Sequence, residues 1–558
     1  MTRYLLAAEA DKIQDFIFRS SRLREVVGAS QLLSRFCQEG IVPLREQYSG
    51  QEIVNDGGSF RILFEGGDEK EVKNWAKEFG ADLAELYQLA LGGSLSVGEP
   101  ALWNGSFQQA NEQAVKNLHR AKEHRQEALA DPHMPYVAYC ASCGVGLGKE
   151  HSLLPGEKDN ESETEERKRY LCSVCMTKAQ ERWSNRQSML GKFLLAILGD
   201  ERNIEGYTPI KTPEMAAAYD PRGRNYVAYL VADGNGMGKI FRKCNEEQIK
   251  RLSAELPQIV RKSLAMATDY LMARLKRQEY DNKEIVPALP LILGGDDVFV
   301  LIPAPYALDF ARRFCLAFEE GMKQLLTEDT VFEELKDLRP TMAAAVVICK
   351  SKYPYALAHR RGDELLKEAK RMCKQLAADY GEYRSAVNFE VILGNRLTGQ
   401  LEGEGEKAVR PRLRPYWVAT DANPLSPNAQ EYAIDLERVL VQRLALKDVP
   451  NKRLHELRTA FAEIPNDIEN EQLAAWEKSL QRPFVRSGHK KKLWAAMHEL
   501  GQTPPADGNS HHWREKKHKG ISPLAHGLPD LLEVWDFAQG LDNNLSAYEP
   551  QEAEEEEE

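Results

Sequence analysis

Long apolar runs are missing from this 558-residue chain, and none approaches the length that crosses a bilayer, so a helical membrane protein is excluded. The first dozen residues hold Arg3, Glu9, Asp11 and Lys12, which excludes a secretory signal. Cysteine is scarce: nine residues, an odd number, four of them in paired CxxC spacing. That usage argues against a disulfide framework and for a reducing compartment, the cytoplasm. Positive charge is not in excess either. The net charge is −11, so any nucleic-acid contact has to use a local basic surface. What remains is an ordinary globular balance, 42% hydrophobic and 28% charged, in a chain too long for one core, so two to four domains are expected. The run Glu552 to Glu558 reads as a solvated acidic tail.

The most informative stretch is Leu291-Ile-Leu-Gly-Gly-Asp-Asp-Val-Phe-Val-Leu-Ile302. Two apolar runs flank two glycines and two carboxylates, the pattern of strand, tight turn and strand. Gly294 and Gly295 permit φ > 0 and a close approach by a ligand, and Asp296 and Asp297 point to opposite faces if the second strand begins there. A plain polar hairpin turn is the competing reading. About sixty residues earlier, Tyr226 to Asp233 is an apolar strand that runs into the loop Gly234-Asn-Gly-Met-Gly238. Glycine N–H groups at such a turn cradle phosphate. Adjacent strands would cluster Asp233, Asp296 and Asp297, and three carboxylates share one place cheaply only around a cation. Mg²⁺ or Mn²⁺ with a nucleoside triphosphate is the natural occupant.

The N-terminus echoes this layout. Tyr4 to Asp11 parallels Tyr226 to Asp233, and Asp56-Gly-Gly-Ser-Phe60 parallels the Gly-Gly-Asp-Asp turn. Aligning the glycine pairs sets Ser59 against Asp296 and Phe60 against Asp297, so the first copy keeps the turn and lacks the acid pair. Two related domains, one catalytic and one degenerate, would then face each other across a shared nucleotide pocket.

Cys140-Ala-Ser-Cys143 and Cys172-Ser-Val-Cys175, 28 residues apart, form the four-thiolate pattern of a structural zinc ribbon. The polar insert His151 to Arg169 reads as a surface loop. Cys37, Cys244, Cys315, Cys349 and Cys373 stand alone in apolar contexts and read as core. Helical periodicity over Leu308 to Leu326, a buried strand Thr341 to Cys349, and a following helix with Asp363, Glu364, Lys367, Lys370 and Arg371 complete a β, helix, hairpin, helix, β, helix order. Lys367 or Lys370 would reach a triphosphate; a solvated face with i,i+4 pairs is the alternative. From Pro424 on, helical periodicity dominates, with breaks near Pro450, Pro483 and Pro504. Two basic clusters lie there, His489 to Lys492 and His511 to Lys519; the second mixes an aromatic with cations and suits RNA backbone or a plain surface loop.

The expected class is α+β. Residues 1–135 form a degenerate palm, 136–222 a zinc-ribbon and helical linker, 223–423 the catalytic palm, and 424–558 a helical C-terminal domain. With these residues assembled, the chain resembles the polymerase/cyclase-like large subunit of type III CRISPR effector complexes, the Csm/Cmr large-subunit family. Ala10 to Phe18, Leu23 to Ser30 and Lys350 to Pro354 add to the match. The resemblance implies two ferredoxin-like palms that bind ATP between them and join it into cyclic oligoadenylate. It implies Asp233 and Asp297 as principal ligands of a two-ion Mg²⁺ or Mn²⁺ site, with Asp296 assisting. Gly234, Asn235, Gly294, Gly295, Lys367 and Lys370 would hold nucleotide, and Gly57, Gly58 and Ser59 would line a second nucleotide site. It further implies guide RNA, target RNA and other effector subunits as partners. The His-Asp nuclease domain that opens many members has no counterpart here, so no DNase activity is expected of this polypeptide. A GGDEF-type dinucleotide cyclase would carry Glu and Phe where this chain has Asp297 and Val298, and it would leave the cysteine pairs and the doubled unit without a role. A non-catalytic scaffold need not keep three acids.

Overall fold

The computed structural model describes residues 1–541 apart from 21, 125–136, 154–167, 182–185, 200–203, 394–408, 411, 420–423, 425, 466–469, 487, 502–511 and 516–523. The N-terminal unit runs β1 (Thr2–Ala10), α1 (Ile13–Phe18), α2 (Leu23–Arg35), β2 (Gln51–Asp56), β3 (Ser59–Gly66), α3 (Glu69–Leu91), β4 (Leu95–Val97), β5 (Ala101–Leu102) and α4 (Phe107–Glu123). Its sheet order is β2-β3-β1-β4, with β5 also on β1, and every pairing is antiparallel. Strand alternation sends Leu5 and Ala7 to one core and Tyr4, Leu6 and Ala8 to another, so the sheet is covered on both faces. Helix α3 starts where the Asp68 carboxylate accepts from the N–H groups of Lys70 and Glu71, and it stops at Gly92 with φ of 65°.

A cysteine-bearing segment follows, with β6 (Glu150–Ser152), β7 (Arg169–Leu171), α5 (Ser173–Gln180) and α6 (Met189–Leu198). The next unit comprises β8 (Tyr226–Asn235), α7 (Met237–Lys243), α8 (Glu246–Arg274), β9 (Leu289–Gly294), β10 (Asp297–Pro303), α9 (Ala307–Glu328), β11 (Thr341–Lys350), α10 (Tyr355–Tyr380), β12 (Ala386–Val391) and β13 (Tyr416–Trp417). The sheet order β9-β10-β8-β11-β12-β13 opens with the order of the first unit. Both units therefore share a βαββαβ core of ferredoxin-like topology. The second adds β12, parallel to β11, and then β13. Ala228, Leu230 and Ala232 face one core while Val227, Tyr229 and Val231 face the other, the same division as in β1.

Helices α11 (Leu436–Ala445), α12 (Asn451–Ala462), α13 (Asn470–Arg486), α14 (Lys490–Leu500) and α15 (Gly527–Glu533) make up most of the C-terminal part. It is not wholly helical: Val409–Arg410, Leu524–Ala525 and Arg514–Glu515 form a small sheet. Pro483 falls within the last turn of α13 instead of ending it, while Pro450 stands at the start of α12. In the second basic cluster, Trp513 is fully buried and His512 meets Glu477 through Nδ1 and Oε2 at 2.9 Å, so these two build core and do not face RNA. Residues 511 and 516–519 of that cluster, the middle of the His151–Arg169 insert and the acidic tail lie outside the described residues. The five single cysteines are all buried. No helix among the described residues is long and apolar enough to cross a membrane.

Candidate active site between two sheets

The register decides which residues correspond. In the first unit Asp56 pairs with Ser59 across the turn, and Glu9 pairs with Ser59 across the sheet. In the second, Gly294 pairs with Asp297, and Ala232 with Val298, which sets Asp233 across from Asp297. Ser59 therefore matches Asp297, Gly58 matches Asp296, and Glu9 matches Asp233. Matching the glycine pairs as letters is one residue out, since Ser59 does not match Asp296, nor Phe60 Asp297; matching Asp11 to Asp233 along the first strands is two residues out. The physical reason is the turn. Gly57 and Gly58 both occupy the turn of the first hairpin, at φ of 58° and 81°, whereas Gly294 ends a strand and only Gly295 has positive φ, at 58°.

Asp233 and Asp297 stand side by side at the ends of β8 and β10 and face one cavity. Asp297 is open to that cavity though it lies below the molecular surface; burial first, then the Asp233 and Asp296 carboxylates, pushes its carboxyl up to about 8. Asp296 turns the other way, toward Gly234. A Cβ on Gly234 would lie 2.8 Å from its Oδ2, so only glycine fits there. Burial and Asp233 push Asp296 up to about 6. Lys370 on α10 reaches Asp233 Oδ2 at 2.5 Å and works against both shifts. Clustered carboxylates with raised pKa values are the mark of a site short of positive charge. The donor set that faces the cavity, Asp233 and Asp297 at adjoining strand ends, fits a hard divalent cation brought with a nucleotide's phosphates; Asp296, expected to assist as a ligand, points away from it.

The cavity has a volume of about 1480 Å³ and draws on both units. From the second come Asp233, Gly294, Asp297, His359, Lys367 and Lys370; from the first, Glu9, Asp11, Lys12, Asp56, Gly57 and Lys122. Glu9 pairs with Lys122 at 2.9 Å, on the helix that follows the sheet, which mirrors the Asp233–Lys370 pair. Asp11 accepts from Ser96 Oγ at 2.8 Å. Gly58, Ser59, Gly234, Asn235, Gly295 and Asp296 do not line this cavity. Gly58 packs on Ala10, Ile13 and Leu33, and Asn235 donates to Thr341 Oγ1 at 3.0 Å. Sequence reading missed Glu9, Lys122 and His359. His359 is buried, lies tilted against Phe18 and edge-on to Phe299 with ring centroids 4.7 Å away in each case, and meets Asp363 one helical turn on at 3.4 Å. The i,i+4 spacing of His359 and Asp363 was its only signal.

The four CxxC sulfurs lie within 4.8 Å of one another and could hold a metal ion. Cys143 Sγ and Cys172 Sγ are 3.9 Å apart, close to the edge of about 3.8 Å that follows from a tetrahedral site with zinc–sulfur bonds of about 2.3 Å. The N–H groups of Gly146 and Cys175 donate to Cys143 and Cys172 sulfur at 3.4 Å, which favours thiolate. The cluster is clamped to the first unit. Ser142, inside one knuckle, and Ser20 both donate to the buried Glu25; the buried Lys178 donates to the Phe16 carbonyl oxygen and lies 3.9 Å from the Phe16 ring centroid. Through Phe16 it supports α1, which lines the nucleotide-sized cavity.

A βαββαβ sheet with acids at neighbouring strand ends is the arrangement of a palm domain. Residues 226–377 match the family model of the Cas10/Cmr2 second palm domain, so this segment is similar to that palm. No curated protein matches the sequence. Among solved structures, Csm1 of T. onnurineus is 14% identical with a TM-score of 0.50, over 97% of this chain and 70% of that one. The Csm1–Csm4 cassette in complex with cA4 is 13% identical with a TM-score of 0.39, over 71% of this chain and 55% of that one; the same cassette with AMPPNP is 12% identical with a TM-score of 0.42, over 89% and 70%. The chain thus spans little more than half the length of the first of these cassette proteins. At such identities the likeness is one of fold.

Proposed function

We propose that this chain is the large subunit of an RNA-guided type III CRISPR complex and that it converts ATP into cyclic oligoadenylate, or a related adenylyl product, when target RNA is bound. The observation that carries this reading is Asp233 and Asp297 side by side beneath a cavity that two like-folded units close. In this reading the first unit is a degenerate palm, the second a catalytic one, and the cysteine cluster a structural zinc ribbon. Asp233 and Asp297 bind Mg²⁺ or Mn²⁺, and Asp296 fixes the loop at Gly234 behind them. Such ions, when bound, polarise the α-phosphate and lower the pKa of the attacking 3′-hydroxyl. Lys370 and Lys367 supply cations to the phosphates on one side of the cavity. Glu9, Lys122 and the Gly57 edge of the first turn orient the second nucleotide on the other. Closure between two sheets excludes water and holds the reactants in line, so the protein acts by positioning and charge stabilisation. Guide RNA, target RNA and further effector subunits are the partners, and the cytoplasm is the setting.

The test is ATP with Mn²⁺, given to the complex assembled on guide-matched RNA, with products read by mass spectrometry. Adenylate oligomers that vanish in the Asp296→Ala/Asp297→Ala variant support the reading. Unchanged ATP from the assembled, RNA-bound complex overturns it and favours a scaffold.

A further inference from the structure

The carboxylate of Asp56 belongs to the unit without metal ligands, yet it is bonded to the turn that carries them. Gly295 N–H donates to Asp56 Oδ2 at 2.6 Å. Gly295 immediately precedes Asp296 and Asp297 and stands at φ of 58°, so the direction of its N–H sets the direction in which the acid pair leaves the turn. The two hairpin tips touch as well. A Cβ on Gly294 would lie 3.3 Å from Gly57 Cα, which leaves no room for the tips to slide past a side chain. Asp56 closes β2, so its reach across the interface is fixed by the first sheet.

Asp56 and Gly295 also line a second cavity, of about 480 Å³. Asp56 shares it with Lys192 on α6 and Arg261 on α8. Lys192 Nζ donates to Gln38 Oε1 at 2.8 Å, and Arg261 has no ion pair among the described residues. Two cations around one sunken carboxylate compensate its charge, which burial otherwise penalises. A glycine pair gives the acid-bearing turn wide conformational freedom, and a charge-assisted bond from outside the hairpin removes it.

We propose that Asp56 is a positioning residue for the metal-binding turn: across the interface it holds Gly295 N–H, and so aims Asp296 and Asp297, with Lys192 and Arg261 balancing its charge. The proposal rests on the nucleotidyl-transfer reading for its catalytic consequence, though not for its effect on metal binding. It also gives the degenerate unit a role that no metal ligand of its own could supply.

The test uses full-length protein in its assembled complex with Asp56→Ala and the near-isosteric Asp56→Asn. Mn²⁺ affinity is read by the electron paramagnetic resonance of free Mn²⁺, and ATP turnover is resolved into kcat and KM. Removing a hydrogen bond to a charged group costs on the order of tenfold to a hundredfold. Asp56→Ala is therefore expected to weaken Mn²⁺ binding and lower kcat by that factor with KM for ATP within about twofold, and Asp56→Asn, which keeps an acceptor, to recover most of the loss. Unaltered Mn²⁺ affinity in both variants overturns the proposal, as does a change in KM alone or a loss that Asn does not relieve at all. If the wild-type complex binds Mn²⁺ and leaves ATP intact, the nucleotidyl-transfer reading fails while the Mn²⁺ comparison still decides the role of Asp56.

Discussion

The two βαββαβ units have the same strand order and the same acid–lysine pair, Glu9 with Lys122 and Asp233 with Lys370, yet only the second carries an adjacent acid pair, Asp296 and Asp297, after its turn glycine. The difference lies in two turn residues. Position 58 is glycine at φ of 81°, with a would-be Cβ 2.9 Å from Ala10 Cβ, so that turn admits no side chain. Its counterpart, Asp296, has no positive φ and carries a carboxylate without strain. Position 59 is serine where the second unit has Asp297. A shared scaffold thus tolerates loss of the acids while the outline of the pocket persists, because strand order and register are set by the buried faces and not by the turn tip.

The comparison can be broken most sharply at the acids. Asp297→Ala or Asp233→Ala is expected to lower ATP turnover by roughly a thousandfold or more, the scale of losing a main electrostatic group; Glu9→Gln should cost far less. Equal losses in a steady-state ATP assay would mean that both units bind metal. Next in size is the cysteine cluster. Because metal binding at a structural site is folding free energy, chelation or Cys143→Ser is expected to destabilise the clamp on α1 by several kcal/mol, roughly 2–5. Thermal unfolding and limited proteolysis would register it, with protection of α1 by ATP lost in parallel.

Smaller still is the turn itself. Gly58→Ala is expected to destabilise by about 1–3 kcal/mol through its positive φ, measured by chemical denaturation, while Asp296→Ala stays within about 1 kcal/mol of wild type. An Ala at 58 without cost would remove the conformational explanation for the missing acid. Last, Lys370→Met should reduce turnover about tenfold and Lys122→Met by no more than about threefold, mainly in KM, the signature of binding alone. The reverse ranking in a kinetic titration would assign the reacting nucleotide to the first unit.

Much of the site was legible because its chemistry is local. The Gly294 to Asp297 hairpin, the Asp233 strand end and the CxxC knuckles each declare themselves within a few residues, and register then brings Asp233 beside Asp297. Lys370 was legible as a candidate cation on a helix. Glu9 and Lys122 were not, since an acid in a strand and a lysine on a solvated helix are commonplace until pairing across a sheet puts them together. His359 and Asp56 depend on packing between units, which no periodicity encodes. The buried Trp513 reads as a surface aromatic among cations because its burial is decided by helices from elsewhere in the chain.

Sequence by itself determined the α+β class, the strand-turn-strand with its acids, the four-thiolate cluster and the fact of a doubled unit, because each follows from alternation, spacing or turn chemistry over short range. Only the tertiary structure decided which residues of the two units correspond, that the hairpin tips meet at Asp56 and Gly295, and that the two sheets close one cavity. Those facts depend on hydrogen-bond register and on the packing of surfaces hundreds of residues apart, where a shift of a single residue reverses every side chain.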